Sequence, residues 1–237
     1  MSILEVKNLV KFYGNSPALR GISFDVPPGK IVGVLGPNGS GKTTLIKIIM
    51  SLLSGHSGEV LIKGLPPGTE ANKIISYLPD VGHLPPWFKV FEAINLFADY
   101  YTDFDKPRAE QMLTSMKIPL DKKIKKLSRG MQEKVQIALV MSRRASLYLL
   151  DEPIGAVDPA SREFILDTIL RNFPEDASIV LSTHIIADIE PVLDIAIFLK
   201  DGEIILNDEV DNIREEKNTS LDSLFREMFR NEWDILQ

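Results

Sequence analysis

At 237 residues, with 44% hydrophobic and 25% charged residues, the chain is long enough to bury the core of one large domain, or of one domain with an inserted lobe. It contains no cysteine, which excludes disulfides, thiol catalysis and cysteine-ligated metals together and fits a reducing compartment. Its net charge of −6 gives no overall footprint for nucleic acid or for an anionic membrane surface, although a local basic patch is compatible with it.

No apolar stretch approaches the roughly 18 residues that a membrane span needs. The richest, Leu45 to Leu53, is interrupted by Lys47 and reads as a core helix. The opening MSILEVKNLV has neither the basic start nor the apolar centre of a signal peptide. A soluble chain is expected, whose membrane role would run through a partner.

In chain order, residues 3–7 and 19–26 alternate, with Ile22, Phe24 and Val26 pointing one way and Ser23 and Asp25 the other, which predicts a half-buried antiparallel pair. Pro27-Pro28-Gly29-Lys30 turns the chain into the apolar run Ile31-Val32-Gly33-Val34-Leu35, a buried strand. The next residues, Gly36-Pro37-Asn38-Gly39-Ser40-Gly41-Lys42-Thr43, fit the G-x-x-x-x-G-K-[ST] phosphate-binding loop at every fixed position. The helical pattern Thr44–Ile49 follows. Strand, glycine turn and helix N-terminus together make an anion cradle. Backbone N–H groups from Gly36 to Gly41 are expected to wrap the phosphates, Lys42 to reach the β- and γ-phosphates and Thr43 to ligate Mg²⁺, with Thr44 at the entry to the helix. The chain therefore reads as a nucleoside triphosphate binder.

Further strands are predicted at Glu59–Lys63 and Lys73–Leu78. From Gly82 to Lys126 the strand signal fades, and helices at Val90–Tyr101 and Pro107–Met116 read as a helical insertion. Within it, Pro85-Pro86-Trp87-Phe88 sets two large aromatics on a stiffened loop, either as buried core or as a groove for a partner's helix. Leu127-Ser128-Arg129-Gly130-Met131-Gln132 leads into a helix at Glu133–Met141, with Ser128 as its N-cap and Gly130 allowing close backbone approach. Alone, this is an ordinary helix start.

Leu147–Leu150, Ser178–Ser182 and Ile195–Leu199 resume the sheet, each after helical periodicity, which predicts βαβ units with parallel strands. The first of these ends in Asp151-Glu152, where one carboxylate can hold Mg²⁺ through water and the next can polarise a water for in-line attack. His184 follows the second, where an imidazole could face a γ-phosphate, although an isolated histidine there is usually structural. Asp201-Gly202 is a two-residue hairpin turn. Leu221, Leu224, Phe225, Met228 and Phe229 have amphipathic helical spacing, which suits packing on the chain's own domain better than binding a partner.

The order phosphate loop, LSRGM, YLLDEP, GAVD and STH resembles an ATP-binding cassette (ABC) ATPase, and the likeness runs from Leu4 to Asn207. LSRGM stands at the family's LSGGQ signature, Gly155-Ala156-Val157-Asp158 at the D-loop, His184 at the switch histidine and Tyr13 at the aromatic residue that stacks on adenine. Two departures stand out. Arg129 and Met131 replace signature residues while Ser128 and Gly130 are kept, and Asp80 in Tyr77-Leu78-Pro79-Asp80 replaces the usual Q-loop glutamine. A carboxylate there can still offer a hard oxygen to Mg²⁺.

The resemblance implies a P-loop α/β fold with a mixed core sheet, an N-terminal antiparallel β subdomain and an inserted helical subdomain. The expected division is an ATP-binding core at 1–81 and 138–212, a helical lobe at 82–137 and an amphipathic tail at 213–237. It implies ATP with Mg²⁺ at Thr43, Asp80 and Asp151, catalysis by Glu152, His184, Lys42 and Asp80, and a second ATP contact through Ser128, Gly130 and Asp158. Because there is one phosphate loop, the chain must pair with a copy of itself, the favoured case, or with a homologue. The implied role is the ATPase subunit of an exporter of peptides, antibiotics or lipids, held on the cytoplasmic face of the membrane by polytopic subunits and not bound to nucleic acid. A soluble ABC ATPase of assembly or repair is the alternative, and a phosphate-loop kinase ranks behind both.

Overall fold

A computed structural model describes residues 2–155 and 157–229. β1 (Leu4–Tyr13) and β2 (Ser16–Val26) pair antiparallel, with Leu4 opposite Val26 and Val6 opposite Phe24. The alternation of Ile22, Phe24 and Val26 with Ser23 and Asp25 is realised as alternating buried and exposed positions. β3 (Ile31–Leu35) is buried at every residue, as a strand covered on both faces must be. The phosphate-loop segment leads into α1 (Lys42–Ile49), and β4 (His56–Ile62) then joins the free edge of β1.

α2 (Thr69–Lys73) is a short helix, so the strand expected at Lys73–Leu78 is confined to β5 (Ile75–Leu78). α3 (Val90–Tyr100), α4 (Lys106–Ser115) and α5 (Arg129–Met141) come between β5 and β6 (Leu147–Asp151). α5 starts four residues earlier than Glu133, immediately after its cap Ser128. α6 (Pro159–Asn172) crosses to β7 (Ser178–Thr183). The chain reaches β8 (Ile195–Lys200) through a single turn of 3-10 helix at Glu190–Val192 rather than the helix its sequence pattern suggested. β9 (Glu203–Glu209), α7 (Val210–Lys217) and α8 (Leu221–Met228) complete the described chain, and residues 230–237 of the expected tail lie outside it.

The strands make two sheets, β2-β1-β4 and β5-β6-β7-β3-β8-β9. The larger is parallel except for β9, which returns along β8 after the Asp201-Gly202 turn. Strand periodicity splits its apolar residues between two cores. Val32 and Val34 of β3 meet Leu45, Ile46 and Ile49 of α1 on the face toward the small sheet. Ile31 and Leu35 point the other way, into the core shared with α3, α5, α6 and α8. The hairpin turn also bridges the sheets. Gly202 N donates to the Ser40 carbonyl in the phosphate loop, and Arg20 N in β2 donates to the Gly202 carbonyl.

Two buried charged residues fasten helices to this frame. Arg143 is 2% exposed, pairs with Asp103 at 3.0 Å, donates to the carbonyls of Lys73 and Ile75, and lies over the Tyr101 ring at 3.9 Å. It thereby ties the α3–α4 connection to the start of β5. α8 packs on its own domain, with Phe225 and Phe229 against Phe198 at ring separations of 5.4 and 6.2 Å. Its N-terminus is held by Glu190, which accepts from Leu221 N and Asp222 N and pairs with Arg214 at 3.1 Å. Burial pushes this carboxyl up, but those hydrogen bonds and the guanidinium outweigh it, leaving it below its ordinary value of 4.5.

A carboxyl lowered in the folded state stabilises the fold above its ordinary value, and that contribution is lost as pH falls through the lowered one. Glu190→Gln is therefore expected to cost about 1–3 kcal/mol at neutral pH and progressively less on acidification, read from urea unfolding at several pH values.

Candidate active site

The site lies at the carboxyl ends of β3, β6 and β7, the edge of a parallel sheet where ligands bind. Its floor is the phosphate loop. Two of its glycines are dictated by space: a Cβ at Gly36 would fall 2.3 Å from the Leu199 carbonyl oxygen, and Gly41 sits at φ +113° with the Ala18 carbonyl 2.6 Å from where its Cβ would be. α1 opens without a side-chain cap or an acidic residue in its first turn, so the positive end of its dipole is left for an anion. The Ser40 hydroxyl is buried beside it with no hydrogen-bond partner.

Lys42 is 5% exposed. Its Nζ donates to the carbonyls of Gly36 at 2.8 Å and Pro37 at 3.0 Å and lies 3.5 Å from Glu152 Oε1. Burial lowers its pKa, and the carboxylates of Glu152, Asp151 and Asp80 only partly oppose that. Further negative charge from an anion would stabilise this ammonium.

β6 and β7 run in register, with Asp151 level with Ser182, so their ends meet across the cleft. Asp151 is 1% exposed. Its Oδ1 accepts from the hydroxyls of Ser182 and, at 3.3 Å, Thr43, while its buried Oδ2 has no partner. Burial raises its pKa against those two hydrogen bonds. Glu152 follows in the left-handed region at φ +49°, a conformation that costs a side-chain-bearing residue about 1–3 kcal/mol. That backbone sets its carboxylate between two groups: Oε1 toward Lys42 and Oε2 3.0 Å from His184 Nδ1.

Tyr13, Asn38, Gly39, Gly41, Lys42, Thr43, Thr44, Asp80 and Glu152 line one cleft, whose far wall is Ser16, Pro17 and Ala18 of β2. Tyr13 is half exposed at the end of β1, with the Lys11 ammonium 5.5 Å from its ring centroid. Gly36, Pro37 and Ser40 lie beneath this surface, with Gly36 and Pro37 in contact with Lys42. His184 joins the cleft through Glu152.

Ser128, Gly130 and Asp158 are not in the cleft. Ser128 is exposed and caps α5, accepting from Met131 N at 3.4 Å. Asp158 caps α6 through Ser161 N at 3.1 Å, and the same Ser161 hydroxyl is the nearest atom to a Cβ built on Gly130, at 3.9 Å. These three residues thus form a second exposed locus on the same chain. Arg129 points outward and pairs with Glu133 at 3.5 Å. The two aromatics of the 85–88 loop part company: Phe88 packs against the core, whereas Trp87 is 63% exposed.

Several site residues escaped the sequence. Ser182 holds Asp151, and its signal was a hydroxyl ending an otherwise apolar buried strand. Glu133 and Gln136 of α5 line a recess with Asp80, Asp151 and Glu152, each with a buried oxygen that has no partner. Burial pushes the Glu133 carboxyl up. Nothing in the spacing of α5 distinguished them from solvent-facing residues.

The sequence profile of the ABC transporter family matches residues 19–155. The SkfA peptide export ATP-binding protein SkfE of Bacillus subtilis (strain 168) is 32% identical over 211 residues, covering 86% of this chain and 88% of SkfE. The solved ATP-binding subunit of an ABC transporter superposes with a TM-score of 0.85 at 29% identity, covering 95% of this chain and 99% of that one. The dimeric structure of MJ0796, a bacterial ABC transporter cassette, gives a TM-score of 0.76 at 27% identity over 87% of this chain and 98% of that one.

Gly36→Ala is expected to push the phosphate loop off the Leu199 carbonyl at a cost of about 1–3 kcal/mol, seen as a lower Tm without any added ligand.

Proposed function

The chain belongs to the ABC transporter family as an ATP-binding subunit with ATPase activity, and from that membership we propose how its residues divide the work. One observation carries the reading: Glu152, on a strained backbone, is held between the Lys42 ammonium and the His184 imidazole at the mouth of the cleft. Tyr13 stacks on adenine, the loop from Gly36 to Thr44 binds the phosphates, and Lys42 exchanges its carbonyl partners for phosphate oxygens. Glu152 takes a proton from the attacking water as the water oxygen bonds to the γ-phosphorus and the bond to the ADP oxygen breaks. His184 fixes the Glu152 carboxylate and contacts the γ-phosphate.

The donor set suits Mg²⁺, since the Thr43 hydroxyl reaches Oδ1 of Asp151, whose other oxygen, Oδ2, is buried without a partner. No group of three or more His, Cys, Asp or Glu side chains is arranged to hold a metal among the described residues, so the triphosphate and water would complete the shell. Bound there, the ion would neutralise charge developing on the phosphates. Asp80, across the cleft, would add a carboxylate where the family usually has an amide.

Cassette dimers of the MJ0796 kind support a second chain whose Ser128, Gly130 and Asp158 close over this ATP. Having both a base and a usable signature, the chain can do so as a homodimer, and a homologue could replace one copy. Residues 82–137 would act as the lobe that passes closure to polytopic membrane subunits, set on a core of 1–81 and 138–212 with a tail from 213. No helix among the described residues is long and apolar enough to cross a membrane, which suits a peripheral subunit at the cytoplasmic face. The peptide-export relative favours export, with peptides, antibiotics or lipid-like molecules as cargo, over a role in assembly or repair.

Glu152→Gln should slow ATP hydrolysis ~10²–10⁴-fold and accumulate an ATP-bound dimer on size exclusion. Normal turnover would remove Glu152 from the base role. Asp80→Gln should change the Mg²⁺ dependence of turnover, and rates equal to wild type at every Mg²⁺ concentration would argue against a metal role for Asp80.

A further inference from the structure

Lys11 of β1 is a second enclosed ammonium, 8% exposed, and no carboxylate pairs with it among the described residues. Its Nζ donates to the carbonyls of Ser54 at 2.6 Å and Gly55 at 3.0 Å, in the connection between α1 and β4. Gly55 suits that contact, since it sits at φ +70° and a Cβ there would lie 3.3 Å from the ammonium. An ammonium has three N–H donors, and these carbonyls take two. Desolvated and without a counter-charge, it gains from any further negative potential beside it.

The Tyr13 ring supplies that potential. Residues two apart in a strand can project from one face, and here the Lys11 ammonium lies over the Tyr13 ring, 5.5 Å from its centroid. A cation within about 6 Å of a ring centroid is attracted to the π face, more strongly where it is desolvated. Tyr13 itself is 51% exposed and lines the nucleotide cleft. Ordering a half-exposed ring against a base costs rotamer freedom, and a cation on one face removes part of that freedom beforehand. A ring has two faces, and the cation needs only one. The anchor is equally placed: Ser54 and Gly55 follow α1, whose N-terminus faces the phosphate loop. One ammonium thus joins the strand that carries the ring to the far end of the helix that opens on the phosphate site.

We infer that Lys11 is a positioning residue for nucleotide binding, which holds the Tyr13 ring ready for adenine through a cation–π contact. This rests on the reading of Tyr13 as the residue that stacks on adenine. It adds that part of the affinity for a base comes from a side chain that touches no nucleotide. A ligand with phosphates and no base gains nothing from Lys11.

The test is a double-mutant cycle on the full chain, read as the Kd of AMP-PNP, an ATP analogue that resists hydrolysis, by isothermal titration calorimetry. Tyr13→Ala alone should weaken binding about fivefold or more. Lys11→Met should raise Kd about two- to tenfold in the wild type and leave it unchanged when Tyr13→Ala is already present. The loss should persist in a Tyr13→Phe background, whose ring keeps its π face. Inorganic tripolyphosphate, which has no base, should bind Lys11→Met as tightly as wild type, and that equality reports an intact phosphate loop. Lys11→Gln, which keeps N–H donors for the carbonyls and loses the charge, repeats the cycle should Lys11→Met not fold. Losses from Lys11 and Tyr13 substitutions that simply multiply would overturn the inference. So would tripolyphosphate affinity falling in step with that for AMP-PNP, which would make Lys11 a structural tie for residues 54–55. Tyr13→Ala that binds AMP-PNP like the wild type would overturn the stacking reading itself, and the inference with it.

Discussion

An ammonium buried to within a few per cent of full enclosure has to be satisfied, and the site is organised around how Lys42 is satisfied. It donates to two carbonyls of the loop that precedes it and lies near the carboxylate of Glu152. Both choices impose conditions further away. The loop can turn its carbonyls inward only if Gly36 and Gly41 carry no side chains. The carboxylate can reach inward only if the residue after β6 accepts a left-handed backbone. The parallel register of β6 and β7 then sets His184 on the other oxygen of that carboxylate. One desolvated charge thus links three strand ends into one chemical unit.

Strands and the phosphate cradle were legible in the sequence because they rest on strict local rules. Alternation in β2 and continuous apolarity in β3 each report burial directly. Glycines at 36 and 41 report backbone that no other residue can follow. Misreadings arose where tertiary contacts override local pattern. Thr69–Lys73 became helix and shortened β5, and α5 gained a first turn because Ser128 caps it. The link to β8 collapsed to a 3-10 turn whose Glu190 is needed by a helix 31 residues later, a relation that spacing does not encode. The same holds for Arg143, whose partners lie 40 or more residues before it.

Candidate residues fall into two loci rather than one. Those lining the cleft lie around Lys42, whereas Gly130 and Asp158 meet at Ser161 outside it, with Ser128 capping the helix that Gly130 opens. Each locus is built from helix N-termini: α1 at the first, α5 and α6 at the second. α1 is left without a side-chain cap, whereas α5 and α6 are capped by Ser128 and Asp158, which accept from Met131 N and Ser161 N. The solved cassette MJ0796, with a TM-score of 0.76 to this chain, is dimeric.

The Asp201-Gly202 turn has a mechanical consequence. It is bonded on one side to Ser40 of the phosphate loop and on the other to Arg20 of β2, the strand that forms the cleft's far wall. Spreading those walls would break backbone hydrogen bonds at both ends of one glycine. The cleft is thus a caliper whose jaws are pinned to a common rivet. Its gap is tied to the hairpin, so widening it with these bonds kept requires the phosphate loop, the turn and β2 to move together.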